Sequence, residues 1–147
     1  MRLVKLSFAV AVLLAAAACA IKAPTLRVQR VSGAKVGITG AQLDVVFAVR
    51  NPNPDDLLVE RFDYELFLNG RRVGRGFMPD PIELRGFDQA TVRSQADLSF
   101  IRVPGAIKEV LDHDRVRARA KGHFYVRERG GGSHRLGFDS EAEVDLR

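Results

Sequence analysis

The chain has 147 residues, of which 23 are Lys or Arg, 18 are Asp or Glu, and 46% are hydrophobic. This length suits one domain with a hydrophobic core of its own, and the single cysteine excludes an intramolecular disulfide. The formal net charge of +5 includes two basic residues of an N-terminal leader. Without these two residues, the chain has 21 basic and 18 acidic residues. Its net charge is then +3, so the mature protein is only mildly basic.

Residues 1–18 have the pattern of a secretory signal peptide. Arg2 and Lys5 form a short basic head, and residues 6–18 are an apolar run that only Ser7 interrupts. This run is shorter than the roughly 20 residues that a membrane-spanning helix needs, and small residues follow it directly. We therefore leave residues 1–18 out of the fold and predict that the protein is exported.

Cys19 ends this leader in the stretch LLAAAAC, which resembles a bacterial lipobox. In a lipobox the cysteine receives a diacylglyceryl group and becomes the new N-terminus. Position −3 is Ala16, where Leu is commonest, so ordinary cleavage after Ala18 or Ala20 stays open as an alternative. Ala20 is also not the aspartate associated with inner-membrane retention. The resemblance thus implies an outer-membrane lipid anchor on Cys19, with the domain facing the periplasm.

After a short tether at 19–24, alternation of apolar and polar residues dominates the remaining domain, 25–147. Such alternation favours β-strands with one buried face. The predicted extended segments, in chain order, are 26–31, 42–50, 62–68 with a second arm that ends before Pro79, 82–84, 90–100, 116–126 and 136–146.

Asn69-Gly70 separates the two arms of the third segment. Both residues adopt positive φ angles readily, as a two-residue type I′ turn requires, so the sequence predicts a tight hairpin here.

One short helix is predicted near 104–112, within the stretch VPGAIKEVLDHD. Pro104 suits a first helical position, and Ile107, Val110 and Leu111 form a narrow apolar stripe. About two turns is all that this stripe supports, so the helix is expected to pack on the sheet.

The last two segments carry opposite charges on their polar faces, both at odd-numbered positions. Antiparallel pairing near the intervening glycines predicts that His123 lies opposite Glu141, Lys121 opposite Glu143 and Arg119 opposite Asp145. Cross-strand ion pairs would then neutralise the basic stripe. We therefore interpret this stripe as a solvated face and predict no binding to nucleic acid.

The stretch Asn51-Pro52-Asn53-Pro54 follows the strand at 42–50. The prolines cannot donate to a sheet, and the asparagine side chains can replace lost backbone partners. The motif is therefore predicted to end the strand rigidly and to send the chain elsewhere. The alternative is a metal site formed by Asn51, Asn53, Asp55 and Asp56, although the glycine and spaced glutamate of a calcium loop are missing.

Seven or eight short strands with one small helix predict an all-β fold, specifically an antiparallel β-sandwich.

The strand ending in Asn51-Pro52-Asn53 and the hairpin YELFLNG at 64–70 resemble the water stress and hypersensitive response (WHy) domain. This is the domain of the type 2 late embryogenesis abundant proteins, and the resemblance covers roughly 25–147. It implies an immunoglobulin-like or fibronectin-III-like sandwich without enzymatic activity or cofactor. It further implies protection under desiccation, cold or osmotic stress.

No catalytic or metal site is predicted. His113, His123 and His134 are scattered, and none has metal-ligand spacing or a neighbouring nucleophile motif. The glycines at 130–132 suit a hairpin loop, because no strand-to-helix context for phosphate binding surrounds them.

Two functional hypotheses follow. The domain either protects client proteins or membranes in the periplasm, or it serves as an envelope binding or assembly module that holds a specific protein partner. Client, partner and oligomeric state are not encoded in any motif of the chain.

Overall fold

The computed structural model describes residues 20–99 and 112–145. Within these residues the chain forms eight strands and no helix, in agreement with the all-β class. The strands are β1 (Thr25–Val36), β2 (Gly40–Arg50), β3 (Leu57–Leu68), β4 (Arg71–Phe77), β5 (Ile82–Leu84), β6 (Gln89–Ser99), β7 (Arg115–Glu128) and β8 (Ser133–Asp145).

All eight strands belong to a single antiparallel sheet. Its order is β1-β2-β6-β4-β3-β7-β8, and β5 pairs with the start of β3. The sheet curls until β1 and β8 lie side by side, which makes a nearly closed barrel. The prediction of a two-sheet immunoglobulin-like or fibronectin-III-like sandwich was therefore wrong.

The barrel forms because β4 joins what would otherwise be two separate sheets. One edge of β4 pairs with β3, and residues 74–77 on its other edge pair with β6. A Cβ atom on Gly74 would overlap the carbonyl oxygen of Asp97, and one on Gly76 would overlap the ring of Tyr64. Glycine at both positions lets the short strand approach its neighbours closely and bend the sheet there.

The inward-facing side chains fill the barrel with one apolar core. Alternation along β2, β3, β6 and β7 buries about every second residue, as the sequence predicted, although Val46 is buried as well as its neighbours Val45 and Phe47. Phe47, Phe62 and Phe124 are fully buried, and their rings meet edge to face at centroid distances of 5.5 Å. The other largest fully buried side chains are Leu57, Leu66, Leu68, Leu84, Val28, Val31, Val45, Val49 and Val59.

Tyr64 brings a hydroxyl group into this core. The hydroxyl lies 2.9 Å from the hydroxyl of Ser94, which donates to the carbonyl oxygen of Phe77 at 2.6 Å. Burial raises the pKa of Tyr64 well above its ordinary value, and the hydrogen bond with Ser94 offsets part of that rise. The phenol therefore stays neutral and acts as a structural hydrogen-bonding group.

The pairing of β7 with β8 corrects the predicted register by four residues. Arg119 lies opposite Glu141 and Lys121 opposite Asp139, while His123 faces Gly137. A tight turn causes the difference, because the amide of Gly131 donates to Glu128 and the amide of Glu128 donates to Gly132. Gly131 has φ of 94°, which glycine adopts without steric cost. The polar residues still share one face, as predicted.

The helix predicted near 104–112 falls almost entirely on 100–111, which lie outside the described residues; Asp112 is in a turn. The parts of the chain at 20–99 and 112–145 contain no helix long and apolar enough to cross a membrane.

The antiparallel order gives the barrel two distinct ends. We call the end that carries residues 20–24 and the loops 51–56, 85–88 and 128–132 the tether end. The opposite end, called the far end, carries the turns at 37–39 and 69–70.

Candidate functional site

Asn51 forms the centre of a buried polar network at the tether end. Its side chain has 0% exposure. The amide nitrogen lies 2.8 Å from the carbonyl oxygen of Asp55 and 3.2 Å from those of Leu84 and Arg85. The amide oxygen accepts the backbone N–H of Asn53 at 2.9 Å. One side chain thus fastens the end of β2 to the loop after β5.

Asn53 fastens the tether to the same place. Its amide nitrogen donates to the carbonyl oxygen of Lys22 and its amide oxygen accepts the N–H of Lys22, both at 2.8 Å. The carbonyl oxygen of Asn53 accepts the N–H of Phe87 at 3.0 Å. Asn53 therefore joins three segments: the tether, the motif and the β5–β6 turn.

Pro52, between the two asparagines, and Pro54, after the second, have no backbone N–H that would need a partner. Pro52 is half-buried and Pro54 is exposed. β2 ends at Arg50, directly before this motif.

The alternative metal site finds no support in this geometry. The side-chain oxygens of Asn51 and Asn53 are occupied by N–H groups, and one oxygen of Asp56 accepts the N–H of Gly86 at 3.0 Å. Across 20–99 and 112–145, no group of three or more His, Cys, Asp or Glu residues is placed to hold a metal ion.

The β5–β6 turn carries an unusual aromatic residue that the sequence did not single out. Phe87 has φ of 60° and its side chain is 60% exposed. A non-glycine residue in this left-handed region is uncommon, and a bulky one is a real outlier. The only available signal was an aromatic residue set between the turn formers Gly86 and Asp88.

Asn69 and Gly70 lie at the far end. They connect Leu68 to Arg71 as a two-residue loop with φ of 49° and 80°, which is type I′ geometry. The side-chain oxygen of Asn69 accepts the N–H of Arg117 at 3.0 Å, so the turn also contacts β7.

A groove of about 730 Å³ runs along the outer face of β4, β3, β7 and β8. Gly122 and Gly137, which have no side chains, line the floor of the groove. Tyr125 and the half-exposed Phe77 line it with aromatic rings. The guanidinium of Arg61 lies 4.2 Å from the centroid of the Tyr125 ring. The charged lining residues have both signs: Asp63, Glu65, Arg75, Lys121 and Arg135.

A ladder of ion pairs covers the outer face of β7 and β8. Arg119 donates to Asp139 through two nitrogens, one of them at 2.7 Å. Arg117 meets Glu141 at 3.3 Å, and the ladder ends with Arg115, 3.4 Å from Asp145 and 3.7 Å from Glu143. The charges on this face largely neutralise one another. We call this set of residues the charge ladder.

The histidines lie apart along the barrel surface. His134 is 3.1 Å from Glu128, and the Nδ1 atom of His123 is 3.3 Å from Arg135. His113 precedes β7. Cys19, the predicted lipidation residue, lies outside the described residues.

The fold and the network together define a small antiparallel β-barrel domain fastened by buried asparagines at the end where the tether enters. A model of the family described as "Late embryogenesis abundant protein" matches residues 46–142. This chain belongs to that family.

Solved structures share the fold. A protein from Arabidopsis thaliana is 18% identical with a TM-score of 0.64, covering 86% of this chain and 84% of that one. A provisionally named late embryogenesis abundant protein is 19% identical with a TM-score of 0.51, covering 86% of this chain and 72% of its own. A protein from Archaeoglobus fulgidus is 13% identical with a TM-score of 0.50, covering 87% of this chain and 98% of that one. No curated protein sequence matches the chain.

Proposed function

We propose that this chain is an exported, non-enzymatic lipoprotein whose domain protects proteins or membranes under desiccation, osmotic or cold stress. Membership of the late embryogenesis abundant family, over residues 46–142, is the observation that carries the proposal. The finer assignment to the WHy type draws on the Asn51-Pro52-Asn53 motif and the hairpin at 64–70. The leader and Cys19 supply the export and anchoring part.

The charge ladder suggests how such a domain acts on its clients. Its exposed arginines alternate in space with carboxylates, so the surface is strongly hydrated but carries little net charge. A surface of this kind separates client molecules without binding any of them tightly, because long-range attraction to either sign of charge is weak.

Client protection is tested with residues 20–147 mixed with two unrelated enzymes, which are then dried or heated. The recovered activity is compared with that given by an inert protein of similar size and charge. We expect protection of both clients at near-stoichiometric amounts. A variant with Arg115→Gln and Arg117→Gln breaks the ladder at exposed positions and is expected to protect less. No protection beyond the inert control would contradict the stress role.

The anchor is tested separately in cells. Cys19→Ala should release the protein from the outer-membrane fraction into the soluble periplasm, whereas Ser7→Ala, a leader change that keeps the cysteine, should not. Retention of the Cys19→Ala protein in the membrane would contradict lipid anchoring.

The outer groove favours a second candidate function, an envelope module that holds a protein partner. The groove has aromatic side chains, Phe77 and Tyr125, between charged residues of both signs. Such a surface suits a segment of another protein that contains both polar and apolar residues. Crosslinking in unstressed cells should then recover a discrete complex. Replacing Tyr125 and Phe77 with Ser should abolish that complex without affecting client protection. Protection of many clients with no stable complex would favour the first function.

A further inference from the structure

The path of the chain into the barrel limits how far the domain can lie from whatever holds Cys19. Lys22 is fixed to Asn53 by two hydrogen bonds of 2.8 Å. Only Ala20 and Ile21 separate it from Cys19. Three residue steps span at most about 10 Å even when fully extended. A lipid on Cys19 would therefore hold the tether end directly against the bilayer surface.

Phe87 lies at this same end and is attached to the same residue as the tether. Its N–H donates to the carbonyl oxygen of Asn53, whose side chain binds Lys22. The turn is held on both sides as well: the N–H of Gly86 donates to Asp56, and the N–H of Asp88 donates to the carbonyl oxygen of Arg85. The fastened tether and the turn thus form one unit.

The strained backbone of Phe87 does not place its side chain in the hydrophobic core. The ring is 60% exposed, and its φ of 60° is one that Gly or Asn adopts at lower cost. Strain of this kind persists only where the surroundings fix it, and it concentrates at functional positions. A large exposed aromatic ring in a strained turn indicates a surface that the ring contacts.

The charges near Phe87 do not select a charged partner. The exposed charged residues at the tether end include both signs: Lys22, Arg85, Arg129, Asp55 and Asp88. A partner recognised here is therefore contacted through the aromatic ring. Trp and Tyr are enriched at membrane–water interfaces, and Phe is among the residues that interfacial helices bury at the boundary between headgroups and acyl chains.

We propose that the tether end rests on the lipid bilayer and that the Phe87 ring inserts into the headgroup region beside the anchor. The far end then points away from the membrane, and the outer groove lies on the side wall of the barrel. In the cell this arrangement rests on the proposed lipidation of Cys19; the experiment below does not.

The test uses tryptophan fluorescence, because the chain has no tryptophan and only one cysteine. Residues 19–147 retain every core residue of the barrel, so they are expected to fold without the leader. Phe87→Trp places a single probe at the tether end. Ile38→Trp places one at the far end, where Ile38 is 100% exposed. Each variant is coupled through Cys19 to maleimide lipid in neutral phosphatidylcholine vesicles, with or without bromine near the top of the acyl chains.

We expect coupled Phe87→Trp to shift its emission to shorter wavelength and to lose at least half of its intensity to brominated lipid. Coupled Ile38→Trp should change by less than a tenth. Arg85→Trp provides a second tether-end probe if Phe87→Trp misfolds, because the structural contacts of Arg85 use its carbonyl oxygen. Its quenching should also exceed that of Ile38→Trp. Equal quenching at both ends, or none at the tether end, would overturn the proposal.

Because the lipid is coupled chemically to Cys19, the quenching result does not depend on whether the protein is lipidated in cells. If Cys19→Ala stays membrane-bound in cells while coupled Phe87→Trp is quenched, the anchor proposal fails and the orientation holds. The same probes in lipidated protein purified from cells should reproduce the coupled values. An unquenched Phe87→Trp in that natural form would also contradict the proposal.

Discussion

The side chain of Asn51 makes hydrogen bonds to the backbone, as a neighbouring strand would otherwise do. Its buried amide donates to the carbonyl oxygens of Asp55, Leu84 and Arg85, directly after the point where β2 ends at Arg50. A buried polar group without a partner costs about 1–3 kcal/mol, so these hydrogen bonds stabilise the fold by satisfying the buried amide and the carbonyl oxygens around it. Among the described residues, every buried side-chain nitrogen and oxygen has a hydrogen-bond partner.

Asn51→Asp tests the donor role of this amide. The carboxylate has nearly the same shape but only accepts hydrogen bonds, so it would face the carbonyl oxygens of Asp55, Leu84 and Arg85 without a donor. We expect the free energy of unfolding to fall by about 3 kcal/mol, measured by urea denaturation. Asn69→Asp is the control, because Asn69 accepts from Arg117 and an aspartate also accepts. Equal effects of the two substitutions would contradict the role given to Asn51.

β3 and β7 are neighbouring strands of the barrel wall, and Gly122 lies where their backbones leave no room for a side chain. A Cβ atom on Gly122 would overlap the carbonyl oxygen of Asp63 in β3. The neighbouring Gly137 in β8 is different, because the nearest atoms to an added Cβ there lie 4.0 Å away. Two glycines of the same groove floor therefore have unequal structural importance.

Gly122→Ala should lower the free energy of unfolding by about 3 kcal/mol, since the backbone of β3 must move to admit the methyl group. Gly137→Ala is the matched control and should change it by less than about 0.5 kcal/mol. Thermal and chemical denaturation of both variants measure the difference. The described packing of β3 against β7 would be wrong if both variants were as stable as the parent.

The charge ladder gives a pH-dependent prediction for β7 and β8. The hydrogen bond from Arg119 lowers the pKa of Asp139 below the ordinary 3.8. A carboxyl group with a lowered folded-state pKa stabilises the fold above its unfolded pKa, and that contribution is lost as pH falls through the folded value. NMR titration of Asp139 should give a midpoint below 3.8 that Arg119→Gln raises.

Arg117→Gln should leave that midpoint nearly unchanged, because Arg117 contacts Glu141 instead. The effect on unfolding should be small in either variant, since both partners of the Arg119–Asp139 pair are exposed to water. If Arg119→Gln left the titration midpoint of Asp139 unchanged, the Arg119–Asp139 pair would not form in solution.

Within the described residues, strand pairing around the barrel is interrupted between β1 and β8, and we call this interruption the seam. Among the described strands, β1 pairs only with β2 and β8 pairs only with β7, although β1 and β8 lie side by side. Backbone groups on the seam side of both strands therefore have no strand partner there.

Hydrogen exchange should reveal this seam. Amides of β3 and β7, each paired on both sides, are expected to exchange most slowly, whereas alternate amides of β1 and β8 exchange faster. Mass spectrometry or NMR of residues 20–147 measures the pattern. Uniform protection along β1 and β8, as strong as that of β3, would mean that the seam is hydrogen-bonded and the barrel closed.

The local structure of this protein could be predicted from the chain alone. Alternation placed the strands and their buried faces, Asn69-Gly70 specified a two-residue turn, and the prolines beside Asn51 and Asn53 ended β2. These features depend on neighbouring residues, whose steric and hydrogen-bonding preferences are written in the chain. The motifs around Asn51 and Asn69 were also enough to indicate the late embryogenesis abundant family, which the match over 46–142 confirmed.

The arrangement of the strands could not be predicted in this way, because it depends on contacts between residues that are far apart in sequence. Whether β4 ends one sheet or joins two depends on contacts between Gly74 and β6, which lie far apart in sequence. The β7–β8 register depended on a turn around Gly131 that several glycines in a row left ambiguous. Phe87 and the groove were invisible for the same reason, because a strained turn and a concave surface exist only once distant segments such as the tether and the β5–β6 loop meet.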